Sequence, residues 1–152
     1  MKFQHRIPVQ TSPDWLWDYV TEIPNVVSCI PWISDLRQVG DNAYEAKVKI
    51  AVGPISLSMD GKLIVEDLRP EERVGILRAE ATDRKAAGRV HARIIVRLEP
   101  RDSHTTDLIV DTEATIAGKI GEFGQPILHR KADSMMHEFA KNLAIRAAQQ
   151  KC

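Results

Sequence analysis

"NAYEAKVKIAVGPISLSMDGKLIV", residues 42–65, alternates apolar and polar side chains on both sides of a Gly-Pro pair. A period of two is typical of a β-strand with one buried face. Gly53-Pro54 is a turn signal, so the two halves are predicted to form an antiparallel hairpin. The residues that share its predicted buried face are Tyr44, Ala46, Val48, Ile50, Val52, Ile55, Leu57, Met59, Leu63 and Val65.

The same alternation continues on both sides of this hairpin. Upstream it covers residues 2–10, and downstream it is clear in 89–99 and 106–116 and weaker in 73–82. A polar turn is predicted at 83–88, and no helical period interrupts the stretch from 33 to about 116. Strands joined only by short turns indicate an antiparallel meander.

Helix signals lie before and after these strands. Ser12 suits an N-cap and Pro13 the first helical position, so a short helix begins there. Pro24 either ends that helix or starts a second short one. From Gly118 to Gln150 apolar residues recur at helical spacing, which predicts one long helix that is kinked near its start.

This order of elements predicts a curved antiparallel sheet with one long helix lying across its concave face. A single helix of about 10 Å diameter does not fill a deeply curved sheet, and the remaining space would be an apolar pocket. The alternative is that the same inward side chains simply pack together as a core.

The composition narrows the class of protein. The chain has 152 residues, enough for one domain spanning 1–152, and its 21 basic residues balance 21 acidic ones. That balance offers no general attraction for nucleic acid. We found neither an apolar stretch of the ~20 residues that a membrane span needs nor a signal-peptide core. We therefore expect a cytoplasmic protein.

The cysteines and histidines do not indicate a metal site or a cofactor. Cys29 and Cys152 are expected to be free thiols in a cytoplasmic protein. The sequence has no CxxC or HExxH motif, and its five histidines are scattered. Cys29 is interpreted as a small hydrophobic residue at a cavity wall rather than as a reactive thiolate.

Three stretches resemble a known family. They are "IPNVVSCIP" (23–31), "VGPISLSMDGKLIVED" (52–67) and "TEATIAGKIGEFGQPIL" (112–128). With the order of elements, they resemble the helix-grip fold of the START-like superfamily, also called SRPBCC or Bet v 1-like. Within it they are most similar to the CoxG family, named for the CoxG protein of carbon monoxide dehydrogenase. Trp32 stands where that family usually has a glycine.

The resemblance implies an α+β fold and a binding function. The fold would hold about seven strands, two short helices after the first strand and a long C-terminal helix. The implied ligand is a lipid- or quinone-like small molecule, and the implied partner is a molybdenum hydroxylase such as carbon monoxide dehydrogenase. The residues that we expect to line the pocket are Cys29, Tyr44, Val48, Met59, Leu63, Ile94, Val110, Phe123, Ile127, Met135 and Phe139.

Two other functions remain open at this point. One is an enzyme of the polyketide cyclase or dehydratase type, for which His5, Arg78 and Glu80 are the best candidates. The other is a subunit that binds a protein partner and whose cavity is only a residual core. We expect a binding protein rather than an enzyme and assign no catalytic residue. A peripheral contact with a membrane, without a transmembrane segment, also stays open.

Overall fold

The computed structural model describes residues 1–83, 85 and 88–150. Its strands are β1 (Lys2–Val9), β2 (Ile33–Gly40), β3 (Ala43–Val52), β4 (Ile55–Arg69), β5 (Val74–Asp83), β6 (Gly88–Pro100) and β7 (Thr106–Gly118). Its α-helices are α1 (Pro13–Val20), α2 (Ile23–Ser28) and α3 (Gln125–Gln149), with a 3₁₀ segment at Lys119–Phe123. Cys152 and three residues of the predicted turn at 83–88 lie outside the described residues.

The strands form one antiparallel sheet of seven strands in the order β1-β7-β6-β5-β4-β3-β2. Strands β2 to β7 are therefore a meander, and β1 joins its far edge by pairing with β7. The predicted antiparallel sheet of about seven strands is confirmed. The hairpin register places Tyr44 opposite Leu63 and Val48 opposite Met59, as the alternation of residues 42–65 predicts.

The short helices begin where the sequence signals lie. The Ser12 hydroxyl accepts a hydrogen bond of 3.1 Å from the backbone N–H of Trp15, which caps α1. Pro24 lies in the first turn of α2 and starts that helix, which settles the choice that the sequence left open.

The junction between β7 and α3 passes very close to the end of that strand. A Cβ atom on Gly121 would lie 2.9 Å from the carbonyl oxygen of Ile116, nearer than side chains tolerate. The glycine therefore allows the 3₁₀ segment to fold back on β7 before α3 begins.

Two groups of buried residues form the interior. The first core cluster joins α1, α3, β1 and the ends of β6 and β7, with Ile7, Val9, Leu16, Cys29, Leu98, Leu108, Phe139, Leu143 and Ala147. The second core cluster lies at the other end of the sheet, with Val52, Leu57, Met59, Ile120 and Leu128. Full burial of each large side chain contributes about 1.5–3 kcal/mol. Residues of both clusters or packed on them border the candidate site.

Candidate ligand-binding cavity

A cavity of about 350 Å³ lies between the inner face of the sheet and the three helices. Its wall on the helix side consists of Trp17, Val20, Thr21, Ile23, Val26, Val27, Ile30, Met136 and Phe139. On the sheet side it is formed mainly by Trp32, Ile33, Leu36, Tyr44, Ala46, Val48, Gly61, Leu63, Val65, Leu68, Gly75, Leu77, Ala79, Ala81, Val90, Ile94, Val96, Leu108 and Val110. Nearly all of these side chains are apolar.

Small residues on β3, β4 and β5 explain why this space is hollow. Ala46 lies opposite Gly61, and Gly61 lies opposite Ala81, so three adjacent strands present almost no side chain at one level. Ala79 is the next inward residue along β5. Helix α3 packs mainly against β1, at the far edge of the sheet, and so does not reach across to fill the gap.

The charged residues at the cavity wall face the other side of the sheet. Glu45, Lys62 and Glu80 are consecutive cross-strand neighbours, and each alternates with the inward residues of its own strand. Arg37 donates a hydrogen bond of 3.2 Å to Glu45 Oε1, and His91 Nδ1 lies 3.5 Å from Glu80 Oε1. The described wall therefore offers no counter-charge for an ionised group inside.

Three polar groups in the cavity wall make no hydrogen bond with a described residue. They are the Tyr44 hydroxyl and the indole N–H groups of Trp17 and Trp32. All three can donate a hydrogen bond, and the indoles can only donate. The Thr21 hydroxyl is already committed, because it donates to the carbonyl oxygen of Trp17 at 2.8 Å.

An open groove adjoins the cavity between α2 and β2. It is lined by Pro24, Val27, Ser28, Ile30, Pro31, Ile33, Leu36, Gln38 and Tyr44. Five of these residues, including Tyr44 and Leu36, also line the cavity. The uncharged stretch at residues 23–32 thus forms much of the border between the groove and the interior.

The structure brings together six of the residues predicted to line the pocket. They are Tyr44, Val48, Leu63, Ile94, Val110 and Phe139. Their contact with a ligand stays a prediction. The sequence analysis missed the contribution of α1 and α2, although the absence of charge at residues 23–32 was a signal for it.

The other five predicted residues lie outside this cavity. Cys29 is fully buried in the first core cluster, and Met59 belongs to the second, against which Phe123 packs. Ile127 is 37% exposed on the first turn of α3. Met136 lines the cavity in place of Met135, because both positions fit helical spacing from Phe139 and spacing alone does not choose between them.

The three candidate catalytic residues do not meet in the cavity. His5 Nε2 forms a hydrogen bond of 2.8 Å with Asp133 Oδ1 on α3, and neither residue lines the cavity. Arg78 and Glu80 are on the outer face of β5. The idea that they flank a pocket mouth was wrong, because the inward face of β5 is the one with small residues rather than the one with bulkier Val74 and Ile76.

Cys29 has a tyrosine neighbour away from the cavity. The Tyr19 hydroxyl oxygen is 4.0 Å from Cys29 Sγ. Burial is the main cause that raises the pKa of Tyr19 above its ordinary value, and the nearby thiol adds to the effect. In the described part of the chain, no group of three or more His, Cys, Asp or Glu residues is placed to hold a metal ion.

The sheet, the two short helices and the long C-terminal helix define the helix-grip fold of the START-like superfamily. A conserved protein from Geobacillus kaustophilus aligns over 98% of this chain and 96% of its own, with a TM-score of 0.89 and 21% identity. The ZhuI aromatase/cyclase from Streptomyces sp. R1128 aligns over 100% and 96%, with a TM-score of 0.71 and 15% identity. A START superfamily protein from Mycobacterium smegmatis aligns over 98% of both chains, with a TM-score of 0.69 and 12% identity.

The family is narrower than the fold. The family model of CoxG, the G-type subunit of carbon monoxide dehydrogenase, matches residues 6–148, so the chain belongs to the CoxG family. A search of the curated proteins found no match to the chain. Among the helices of the described residues, none has the length and apolar character needed to cross a membrane.

Proposed function

We propose that this protein binds a hydrophobic small molecule, lipid- or quinone-like, in the cavity between the sheet and its helices. The observation that carries the proposal is a hollow of about 350 Å³ with apolar walls and no inward charge among the described side chains. Empty apolar cavities of this kind stay dry and take up apolar guests. The volume also falls in the range of about 300–1,000 Å³ that is common for small-molecule sites.

A pair of alanine substitutions on one strand tests this proposal. Ala46 lines the cavity opposite Gly61, whereas Ala51 is exposed on the outer face of the same strand. Ala46→Leu would fill part of the hollow, and Ala51→Leu would leave it unchanged. We expect native mass spectrometry to show a co-purified ligand on the wild-type and Ala51→Leu proteins and much less on Ala46→Leu. Equal occupancy of all three would contradict the proposal.

A role beside a molybdenum hydroxylase such as carbon monoxide dehydrogenase is the finer part of the proposal. Its support is membership of the CoxG family, whose name refers to that enzyme. The test is deletion of the gene in its source organism, followed by return of the wild-type, Ala46→Leu or Ala51→Leu sequence. We expect carbon monoxide oxidation to be lost on deletion and restored by the wild-type and Ala51→Leu sequences alone. Unchanged oxidation after deletion would contradict this role.

The rival enzyme of the cyclase type gains no support from the site. Such an enzyme needs a general acid or base within reach of its substrate. Glu80 is directed to the outer face of the sheet, and neither His5 nor Arg78 lines the cavity.

A further inference from the structure

We infer that the ligand is electrically neutral and carries a carbonyl or hydroxyl oxygen that accepts a hydrogen bond from Tyr44. This inference rests on the proposed function and specifies the chemistry of its ligand. It places the polar end of the ligand at the border between the cavity and the groove, which Tyr44 lines on both sides. The apolar remainder would occupy the space beside Ala46, Gly61 and Ala81.

The absence of inward charge in the described wall argues for a neutral ligand. Moving an ion out of water into an apolar site costs several kcal/mol unless an opposite charge meets it. Glu45 and Glu80 have their partners, Arg37 and His91, on the outer face of the sheet. A ligand small enough to be enclosed would therefore lose affinity if it were ionised.

The surroundings of Tyr44 argue for a hydrogen-bond acceptor on the ligand. Its cross-strand neighbour on β4 is Leu63, which offers no polar atom. Its neighbour on β2 is Gln38, whose side-chain amide donates to the carbonyl oxygens of Gly40 and Asp41 at 3.0 and 3.3 Å. The Tyr44 hydroxyl thus has no described partner, and a partly buried hydroxyl usually finds one.

Three naphthalene probes of nearly equal size separate charge from hydrogen bonding. 2-Acetylnaphthalene carries one carbonyl, 2-ethylnaphthalene carries no polar atom, and 2-naphthoate carries a negative charge at neutral pH. Isothermal titration calorimetry on the wild-type protein gives the three dissociation constants. We expect the ketone to bind most tightly and the naphthoate to bind at least tenfold more weakly than the ketone.

The two tyrosines of the chain provide a matched pair of variants for the second half of the inference. Tyr44→Phe removes the hydroxyl at the cavity, and Tyr19→Phe makes the same change outside it. One hydrogen bond corresponds to roughly a fivefold to tenfold change in affinity. We expect Tyr44→Phe to weaken binding of the ketone by that factor and to leave 2-ethylnaphthalene unchanged, whereas Tyr19→Phe changes neither.

Two results would overturn the inference. One is naphthoate binding as tightly as the ketone to the wild-type protein, a comparison that needs no variant to fold. The other is a Tyr44→Phe protein that binds the ketone like wild type or loses the ketone and the hydrocarbon equally. In both cases binding of 2-ethylnaphthalene would leave the proposed function standing. Failure of all three probes to bind would overturn the inference and the proposed function together.

Discussion

Asp107 is the most buried carboxylate in the described part of the chain, with 4% of its side-chain surface exposed. It accepts a hydrogen bond of 2.7 Å from Arg6 on β1 and lies 3.0 Å from Arg101, which follows β6. This carboxylate therefore ties the edge strand to the sheet. Hydrogen bonds to charged groups each contribute about 1.5–3 kcal/mol.

We expect Asp107→Asn to lower the free energy of unfolding by about 2 kcal/mol. The loss stays moderate because Arg6 and Arg101 are about half exposed and remain solvated. Urea denaturation measures it, with Glu113→Gln on the exposed outer face of β7 as the control, for which we expect about 0.5 kcal/mol or less. Equal values for the two variants would show that the Asp107 ion pairs contribute nothing measurable.

Tyr19 gives the stability a dependence on alkaline pH. Burial raises the pKa of Tyr19 in the folded protein above its ordinary value of about 10. The folded state therefore holds this proton while the unfolded state releases it, so the contribution is complete below about pH 10 and is lost as pH rises through the raised pKa. We expect Tyr19→Phe to flatten this decline in a series of urea denaturations from about pH 8 to 11. A parallel decline in both proteins would contradict it.

Strands and helices were predictable to different depths from the chain. The β3–β4 hairpin was readable because large apolar residues alternate with polar ones along it. In β5 the bulkier apolar residues Val74 and Ile76 lie on the outer face and small residues face the cavity, so hydrophobicity indicated the wrong face. The choice between Met135 and Met136 was also beyond the sequence, because it depends on how α3 is rotated against β1.

The start of α3 depends on a backbone shape that glycine alone adopts with ease. Gly124 has φ of 85° and ψ of 161°, a region essentially closed to residues with a Cβ atom. We expect Gly124→Ala to lower the free energy of unfolding by about 1–3 kcal/mol, measured by urea denaturation.

Gly40→Ala is the matched control for that substitution. Gly40 ends β2 without a positive φ, and an added Cβ would meet only the Ala43 Cβ, at an ordinary 3.4 Å. We expect a change within about 0.5 kcal/mol for this control. Equal destabilisation of the two variants would mean that the turn into α3 tolerates a side chain.

The cavity divides the interior of the molecule into two core clusters, and this division links ligand binding to stability. Phe139 and Leu108 of the first cluster line the cavity, as do Val48 and Ala81, which pack against the second. A guest in the hollow would therefore contact both ends of the interior at once. The sequence indicated the inward faces that enclose this space, but the size of the gap depends on where α3 packs.

This link makes thermal unfolding a measure of occupancy. A ligand present at 100 times its dissociation constant stabilises the folded state by about 2.7 kcal/mol, which corresponds to a rise in melting temperature of roughly 5–10 °C for a chain of this length. We expect 2-acetylnaphthalene to produce such a rise in the wild-type and Ala51→Leu proteins. Ala46→Leu should show little or no rise, because its side chain occupies space that the ligand needs. A full rise in Ala46→Leu would mean that the probe binds elsewhere and that the hollow is not the binding site.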